Sequence, residues 1–325
     1  MRIFSGIQPT GSLHIGNYLG AIKQWLDLQH ENECIFCIVD FHAITTPYDK
    51  ENFRKEILNQ ATSYLAAGLD PEKVIIFVQS RIKEHTELCW ILNTLTPLGE
   101  LYRMTQYKEK AEKYKKNENA GLLNYPLLMA ADILLYSTET VPVGEDQRQH
   151  VELTREVARR FNKEYGETFV LPKEKLPEKG ARIMSLSDPT KKMSKSDGEE
   201  SFISLFDEPE DIRKKLKSAV TDAGKTIKYD PKKKPGVSNL LAIHSLLSEK
   251  PIKEIEKEMK EKGYKDLKEE TGEVIVNELE SFRKKREKLS SREVYVEEIL
   301  KQGERKARSL AESKMAEVRR KMGVW

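Results

Sequence analysis

The stretch RIFSGIQPTGSLHIGNYLGAIKQWLDLQHENECIFCIV, residues 2–39, decides the fold of this chain. Arg2–Ile7 predicts a short strand, Gln8–Ser12 a turn and Gly16–Leu28 a helix. Cys34–Val39 is a continuous apolar run, which is typical of a strand that is buried on both faces of a parallel sheet. A strand, a helix and a strand in this order predict two parallel strands joined by a right-handed crossover.

The same alternation continues over the first third of the chain. It predicts a helix over Lys50–Leu69, a strand over Val74–Val78 and a helix over Thr86–Leu95. Strands that alternate with helices indicate an α/β fold, here a Rossmann-like parallel sheet with helices on its faces. Such sheets bind ligands at the carboxyl ends of their strands, so we expect the chemistry directly after Ile7, Val39 and Val78.

The remaining sequence is less regular. It predicts a basic, helix-poor stretch over Lys108–Lys116, an apolar helix over Pro126–Tyr136 with its proline near the first turn, and short strands over Val141–Val143 and Phe169–Leu171. From Glu210 onward the chain is mostly helical, and its last helix carries an apolar stripe that is typical of a core-facing side. The stripe consists of Val296, Leu300, Ala307, Ala311, Met315, Val318 and Met322. We therefore expect a Rossmann-like domain over residues 1–200 and a helical domain over residues 201–325, with the final helix able to return onto the first domain.

The composition excludes several classes of protein. Charged residues make up 34% of the 325 residues, and no apolar run approaches the ~18 residues of a membrane span. No signal-peptide pattern precedes the first strand, so a cytoplasmic location is expected. Three cysteines are too few for a disulfide framework and fit a reducing compartment. Cys34 and Cys37 form a C-x-x-C pair, but they lie inside an apolar run without the two further ligands of a zinc site, so buried thiols are favoured.

The turn after the first strand is the first candidate for chemistry. It reads QPTGSLHIGN over residues 8–17 and opens a helix, whose N-terminal amides attract phosphate. The spacing of Gly11 and Gly16 resembles a P-loop, but Asn17 and Tyr18 stand where that motif requires Lys and Ser or Thr. The G-x-G-x-x-G motif of dinucleotide-binding sites is also absent, which weakens a dinucleotide-binding reading of this turn. Taken alone, His14 fits an ordinary turn residue equally well.

A lysine-rich loop is the second candidate. Lys191–Gly198 reads KKMSKSDG, a turn-prone stretch with three lysines and two serines. Lysines placed in this way can neutralise the charge that develops on a triphosphate during displacement. The alternative is an exposed charged loop on the protein surface.

Considered together, the two candidates indicate a family. Residues 14–17, HIGN, resemble the "HIGH" signature of class I aminoacyl-tRNA synthetases, and residues 192–196 match their "KMSKS" signature. Residues 6–11, GIQPTG, and residues 144–147, GEDQ, resemble the tyrosine and tryptophan subgroup. Residues 125–136, YPLLMAADILLY, resemble the tryptophan branch in its bacterial form, and the similarity covers nearly the whole chain. Asn17 departs from the final His of the first signature, but it can still donate a hydrogen bond to phosphate.

The resemblance implies a tryptophan pocket around Asp132. This carboxylate lies inside an otherwise apolar helix, where it is costly without hydrogen-bond donors. A structural Asp that is satisfied by neighbouring amides is one reading. In the other, Asp132 accepts the indole N–H, a group that can only donate. The resemblance further implies that Phe4, His42, Met129 and Val141 line the pocket and that Tyr125 and Gln147 hold the ammonium group of the substrate.

The resemblance also implies an ATP site. Its expected contacts are Gln8, Pro9, Thr10, Gly16, Asn17, Gly144, Glu145, Asp146, Ile183, Lys192, Met193, Ser194, Lys195 and Ser196. Of these, the expected catalytic residues are Gln8, Asn17, Lys192, Lys195 and Ser196. Mg²⁺ is expected to be carried by the ATP phosphates, and no metal ligands are expected from the protein itself. Lys110 fits either closure over the phosphates or a solvated charge run.

The implied partners are tRNA(Trp), L-tryptophan and a second copy of the chain. The domain over residues 201–325 would then bind the anticodon, with basic side chains of the last helix as phosphate contacts or, equally, as solvated faces. These side chains are Arg305, Lys306, Arg308, Arg319, Arg320 and Lys321. Three alternatives stay open: a tyrosine-specific ligase, a catalytically silent paralogue that binds RNA or tryptophan, and a non-synthetase nucleotidylyl transferase.

Overall fold

A five-stranded parallel sheet forms the centre of the computed structural model, which describes residues 1–9, 13–176 and 182–325 and leaves out the side chain of Ser196. The strands are β1 Arg2–Ile7, β2 Glu33–Ile38, β3 Ile75–Val78, β4 Thr140–Pro142 and β5 Lys173–Lys175. They lie in the order β3-β2-β1-β4-β5, and every neighbouring pair is parallel. The predicted α/β class is therefore confirmed, and β1 has the predicted bounds.

Helices make up most of the remaining described chain. Those between strands are α1 Ile15–Asn17, α2 Lys23–Leu28, α3 Asp40–Ala43, α4 Phe53–Ala67, α5 Glu84–Thr94, α6 Leu98–Tyr102, α7 Thr105–Lys113, α8 Ala120–Leu134 and α9 Arg148–Tyr165. Those after β5 are α10 Pro209–Ser218, α11 Pro235–Ser248, α12 Ile252–Glu258, α13 Tyr264–Ser290 and α14 Glu293–Met322. A π-helical turn, Tyr18–Ile22, joins α1 to α2 within the helix that was predicted as continuous.

The sheet separates two hydrophobic cores. Cys34, Phe36 and Ile38 of β2 point into one core, and Ile35 and Cys37 point into the other, because successive side chains of a strand face opposite ways. Both thiols of the C-x-x-C pair are at most 1% exposed, which confirms the prediction that they are buried. The long apolar run of β2 therefore has its physical reason in burial on both faces.

The fifth strand is not where the sequence predicts it. The prediction of a strand over Phe169–Leu171 is wrong, because the strand is Lys173–Lys175. Asn162 explains the difference: its side-chain Oδ1 accepts from the backbone N–H of Phe169 at 2.9 Å, and its Nδ2 donates to the Phe169 carbonyl at 2.8 Å. The backbone of Phe169 is satisfied by this side chain, and so it needs no neighbouring strand.

Two helix predictions also require correction. Lys108–Lys116 is not helix-poor, since α7 covers Thr105–Lys113; its Lys and Glu residues have good helix propensity and Tyr107 anchors it in the core. Pro126 does not stand near the first turn of its helix, because α8 already begins at Ala120. Asn119 caps α8 by accepting from the Leu122 N–H at 3.0 Å, so the helix begins a turn and a half before the proline.

The final helix lies against the edge strand of the sheet. Six of the seven residues in its predicted stripe are buried, and Met322 is partly buried, so the core-facing side is confirmed. The helix approaches the strand closely at Gly303, where an added Cβ would stand 1.8 Å from the carbonyl oxygen of Ile76 in β3. Arg308 and Arg319 strengthen the contact by donating to the Arg81 carbonyl and to the Glu87 carboxylate, both at 2.6 Å. The division at residue 200 stays a prediction.

We expect Gly303→Ala to lower the thermal stability of the protein. The new methyl group would overlap backbone atoms of Ile76, so α14 must move off β3, at a cost of about 1–3 kcal/mol. Gly272→Ala in α13 is the matched control, since its Cβ would meet nothing within 4 Å and alanine favours a helix by about 0.5–1 kcal/mol. The melting temperatures of both variants test this prediction. If the two variants changed the melting temperature equally, close packing at Gly303 would not be what stabilises α14 against β3.

The described residues contain no helix that is long and apolar enough to cross a membrane.

Candidate active site

Residues 13–15, at the start of α1, are paired with a segment that follows the lysine-rich loop. The backbone N–H of Ile15 donates to the Ile203 carbonyl at 2.9 Å, and that of Leu205 donates to the Leu13 carbonyl at 2.9 Å. These two bonds pair the "HIGH" region antiparallel with residues 203–205. Two signatures that are about 180 residues apart in the sequence are therefore brought to one place.

The lysine-rich loop itself begins in a short hairpin. The Met193 N–H donates to the Ile183 carbonyl at 3.0 Å, and the Ser185 N–H donates to the Lys191 carbonyl at 2.8 Å. Met193 and Ile183 of this hairpin are both buried, so they anchor the start of the loop in the core. Asn239, which the sequence did not single out as a site residue, clamps the hairpin through two 2.8 Å bonds to the backbone of Met184.

His14 is affected by the charges of two lysines of the loop, Lys192 and Lys195. Burial, followed by the positive charges of Lys195 and Lys192, lowers the pKa of His14 to about 4. The imidazole is therefore uncharged at neutral pH, and among the described residues its Nδ1 has no hydrogen-bond partner. Gly16 lies directly beside it, and a Cβ there would stand 2.9 Å from that Nδ1. The arrangement leaves a buried polar nitrogen available beside a positively charged loop.

Lys195 is the lysine of the loop whose charge is most affected by its surroundings. Burial lowers its pKa to about 8, and the carboxylate of Glu56 opposes this shift only in part. A partly desolvated ammonium group interacts with an anion more strongly than one in bulk water, because the local dielectric is lower. The loop is thus prepared to receive a polyanion.

A third segment, which follows β4, approaches the same loop. The carboxylate Oδ1 of Asp146 lies 3.9 Å from the Lys192 ammonium, and its Oδ2 accepts from the Gln147 amide at 3.1 Å. A Cβ at Gly144 would stand 2.8 Å from the Asp146 carboxylate, so a larger residue there would push this side chain aside. Glu145 is exposed beside them. The structure therefore places the segment after β4 next to the lysine-rich loop.

Helix α8 carries three of the residues that were assigned to the tryptophan pocket. Tyr125, Met129 and Asp132 are spaced by four and three residues, which places them on one face of the helix. The Tyr125 hydroxyl lies 2.9 Å from Nε2 of His150, a fully buried histidine. Burial lowers the pKa of His150 to about 4, helped by the charge of Lys110.

Lys110 contacts the same tyrosine. Its ammonium group lies 4.4 Å from the centre of the Tyr125 ring, within the range of a cation–π interaction. Burial lowers the pKa of Lys110. The structure therefore does not support the reading of Lys110 as a fully solvated charge.

Asp132 is the most heavily hydrogen-bonded carboxylate of the site. Its Oδ2 lies 2.8 Å from Nε2 of His42, and its Oδ1 lies 2.6 Å from Nδ1 of His85 and 2.7 Å from the Gln79 amide nitrogen. The side chain is buried, which by itself raises the carboxyl pKa, but the bonds from His42 and His85 outweigh burial and hold that pKa below its ordinary value. Asp132 is therefore an ionised acceptor deep in the protein.

Phe4 and Val141 lie beside each other on the sheet face that α8 covers. They belong to neighbouring strands, β1 and β4, and both are buried in the same core. Phe4 stacks on Tyr136, with ring centres 5.6 Å apart and planes 9° apart. His42 reaches this side of the sheet from α3, and its ring meets Tyr125 edge to face at 6.2 Å. The structure therefore brings Phe4, Val141, His42 and Tyr125 to the same side of the sheet.

Some predicted contacts lie at the limit of what the structure describes. Thr10 lies outside the described residues, and so does the side chain of Ser196. Gln8 is half-buried and Pro9 buried directly after β1, and Asn17 uses its Oδ1 to accept from the His14 N–H at 3.0 Å. Asn17 thereby closes the first turn of α1.

Sequence reasoning missed four residues of the polar network. They are Gln79, His85, Tyr136 and His150. A signal existed for Gln79, because it directly follows β3, at a strand end where chemistry is expected. No comparable signal pointed to His85 or His150, whose partners are distant in the sequence.

The chain matches the family model described as tRNA synthetases class I (W and Y) over residues 1–280. It is 49% identical to the tryptophan–tRNA ligase of Caldanaerobacter subterraneus subsp. tengcongensis over 324 residues, covering 99% of this chain and 98% of the relative. It is 50% identical to that of Bacillus subtilis (strain 168), covering 99% and 97%.

Solved structures give the same result. The tryptophanyl-tRNA synthetase of Mycoplasma pneumoniae superposes with a TM-score of 0.91 at 36% identity, covering 100% of this chain and 98% of the other. The enzyme of Campylobacter jejuni, complexed with ADP and tryptophan, superposes with a TM-score of 0.83 at 37% identity and full coverage of both chains. The chain therefore belongs to the class I tRNA synthetases for tryptophan and tyrosine, and within that family to the tryptophan–tRNA ligases.

Proposed function

We propose that this ligase works in two steps at the site between the lysine-rich loop and Asp132. The tryptophan carboxylate attacks the α-phosphorus of ATP, which gives tryptophanyl-adenylate and releases pyrophosphate. The 2′-hydroxyl of the terminal tRNA adenosine then attacks the carbonyl carbon of the mixed anhydride and displaces AMP. The observations that carry the proposal are the buried Asp132 carboxylate, which is held by three hydrogen bonds, and the lysine-rich loop, whose Lys192 lies 3.9 Å from Asp146.

The first step needs no nucleophile from the protein, because the substrate carboxylate is already ionised. The enzyme contributes position and charge. Lys192 and Lys195 neutralise the charge that grows on the leaving pyrophosphate. The neutral imidazole of His14 and the Asn17 amide then contact phosphate oxygens through hydrogen bonds. The nucleotide enters as its Mg²⁺ complex, with the ion held by the phosphates.

Tryptophan is selected through its single ring donor. Asp132 accepts the indole N–H, and phenylalanine, which lacks that donor, leaves the carboxylate short of a partner. Phe4, Met129 and Val141 contact the faces and rim of the ring, and Tyr125 and Gln147 hold the ammonium group. His150 supports this last contact by fixing the Tyr125 hydroxyl at 2.9 Å.

Exchange of labelled pyrophosphate into ATP tests the proposed function directly. We expect exchange that depends on tryptophan and falls steeply with tyrosine or phenylalanine. Exchange with tyrosine but not tryptophan would overturn the specificity, and exchange with none of the three would favour a silent paralogue.

The activity should depend on pH through Lys195. In the enzyme without bound nucleotide, Lys195 has a pKa of about 8 and loses its charge as the pH rises through that value, so we expect kcat/KM for ATP to fall on the alkaline side with an apparent pKa of about 8. The parameter kcat/KM is the one to measure, because its pH dependence reports the pKa values of groups in the enzyme before substrate binds. Lys195→Arg keeps a positive charge throughout this range and should remove the alkaline fall; an unchanged profile would assign the fall to another group.

We propose that tRNA contacts only part of the basic surface that the sequence indicates. Arg308, Arg319 and Lys321 are engaged within the chain, with Glu304, Glu87 and the Glu167 carbonyl respectively. They hold α14 in place. Lys306 and Arg320 are exposed on the same helix and are the better phosphate contacts.

We propose a homodimer that associates through the exposed end of α5. Trp90 is 73% exposed there, and Leu98 at the start of α6 is 64% exposed. Trp90 lines a groove of about 590 Å³ with Ile91, Met322 and Val324. Large apolar side chains that are exposed together indicate a surface for protein contact.

We also propose that the protein is located in the cytoplasm. Cys34, Cys37 and Cys89 are all free thiols, as expected for a protein in a reducing compartment.

A further inference from the structure

His85 lies behind Asp132, in a place that no substrate contact explains. It stands in the first turn of α5, one short turn after β3 ends, and its side chain is 0% exposed. Its two ring nitrogens are both engaged: Nδ1 lies 2.6 Å from Oδ1 of Asp132, and Nε2 lies 2.8 Å from the Tyr136 hydroxyl. The imidazole therefore bridges a phenol and the carboxylate that selects the substrate.

The direction of the bond to Asp132 follows from the carboxylate. The ionised Asp132 can only accept, so Nδ1 of His85 carries a proton and donates to Oδ1. Burial, with the nearby Cys37 and Asp132, raises the pKa of Tyr136 well above its ordinary value, so the phenol keeps its proton. Its hydroxyl oxygen lies 2.8 Å from Nε2 of His85, and this contact fixes the other side of the imidazole ring.

Gln79 supplies a second donor to the same oxygen. Its Oε1 accepts from the backbone N–H of Phe41 at 3.1 Å, which fixes the orientation of the amide. Its Nε2 is consequently the end that donates to Oδ1 of Asp132, at 2.7 Å. Like His85, Gln79 is 0% exposed.

The two oxygens of Asp132 are thus unequally occupied. A carboxylate offers about four acceptor positions, two on each oxygen. On Oδ1, His85 and Gln79 use both positions. On Oδ2, His42 uses one position at 2.8 Å, and no other described residue donates to the second position.

We propose that His85 and Gln79 are positioning residues for tryptophan selection: they saturate Oδ1 of Asp132 and leave the one remaining acceptor position, on Oδ2, for the indole N–H. This inference rests on the proposed function, in which Asp132 accepts that N–H. Neither residue touches the substrate. Without them the carboxylate can rotate about its Cβ–Cγ bond, and the acceptor position is no longer held in place.

A pair of substrates separates positioning from mere support of the fold. Tryptophan is compared with β-(3-benzothienyl)alanine, in which sulfur replaces the indole N–H at nearly the same ring shape. Pyrophosphate exchange by the full-length enzyme gives kcat/KM for each, and their ratio reports the contribution of the N–H. Damage to the fold lowers both values together, whereas loss of positioning lowers the tryptophan value alone.

We expect His85→Leu, which removes the donor to Oδ1, to lower the tryptophan/benzothienylalanine ratio by about tenfold, the usual effect of losing one hydrogen bond to a charged group. His85→Asn, whose amide nitrogen can take the place of Nδ1, should restore most of the ratio. The matched control is His244→Leu: His244 is also buried, with Nδ1 3.3 Å from the Thr271 hydroxyl, and its loss should leave the ratio unchanged.

An unchanged ratio in His85→Leu, or a ratio in His85→Asn as low as in His85→Leu, overturns the inference. Asp132→Ala, measured in the same assay, separates this from failure of the proposed function. If Asp132→Ala keeps the wild-type ratio, Asp132 does not read the N–H at all. If the ratio falls in Asp132→Ala but stays at the wild-type value in His85→Leu, Asp132 has its proposed role and only the positioning by His85 is wrong.

Discussion

Lys195→Ala is expected to slow tryptophanyl-adenylate formation by about 100- to 1,000-fold, the effect of removing one group that stabilises developing charge in other enzymes. Ground-state binding of ATP should weaken much less. The reason is that negative charge on the leaving pyrophosphate grows as the α-phosphorus bond breaks, and the desolvated Lys195 ammonium contacts that charge most strongly at the transition state. Single-turnover adenylate formation and the equilibrium Kd of ATP measure the two effects separately.

Lys191→Ala is the matched control for this variant. Lys191 belongs to the same loop, but it is exposed and pairs with Asp188 at 3.3 Å. Exposed pairs of this kind contribute at most about 1 kcal/mol, so the rate should change little. An equal loss of rate and of ATP affinity in Lys195→Ala would mean that Lys195 binds the ground state and the transition state alike.

Asp132→Ala should raise the KM for tryptophan by about 100-fold or more, because a site built around a polar contact loses its discrimination when that contact is removed. The variant should also be less stable. The N–H groups of His42, His85 and Gln79 would lose their common acceptor in the core, at a cost of about 3–5 kcal/mol. Steady-state kinetics with tryptophan and a melting curve give both results.

The KM for ATP provides an internal control, since the lysine-rich loop is unchanged. Asp222→Ala is a control for stability alone, because Asp222 accepts from Lys234 at 3.0 Å and from Tyr264 at 2.8 Å in a separate network. It should lower the melting temperature and leave the KM for tryptophan within about threefold, the scale of an indirect effect below 1 kcal/mol. A tryptophan KM that Asp132→Ala leaves unchanged would exclude Asp132 from substrate recognition.

Local patterns predicted the first half of the sheet well. β1 has its predicted bounds, and β2 and β3 begin and end within one residue of theirs, because each is a short run rich in isoleucine and phenylalanine between turn residues. Phe169–Leu171 looked similar but is not a strand. Its backbone bonds to the Asn162 side chain, an interaction that no local pattern reveals.

The site was predictable where one residue alone carries the signal. Asp132 stands out as a carboxylate in an apolar helix, and the two signatures stand out by their composition. The donors to Asp132 could not be predicted, because Gln79 and His85 lie 53 and 47 residues from it in the sequence. Only the folded sheet brings β3, α5 and α8 to one place.

The return of α14 to β3 has a consequence for synthesis of the chain on the ribosome. The peptide group of Ile76 is covered by Gly303, which is translated about 230 residues later, tens of seconds at the ~5–20 residues per second of ordinary translation. During that interval the N-terminal half has an uncovered edge strand, to which another nascent chain can add. Chaperone capture and co-translational aggregation should therefore be greatest before the last thirty or so residues emerge, and a nonsense mutation just upstream of α14 should yield an aggregating product.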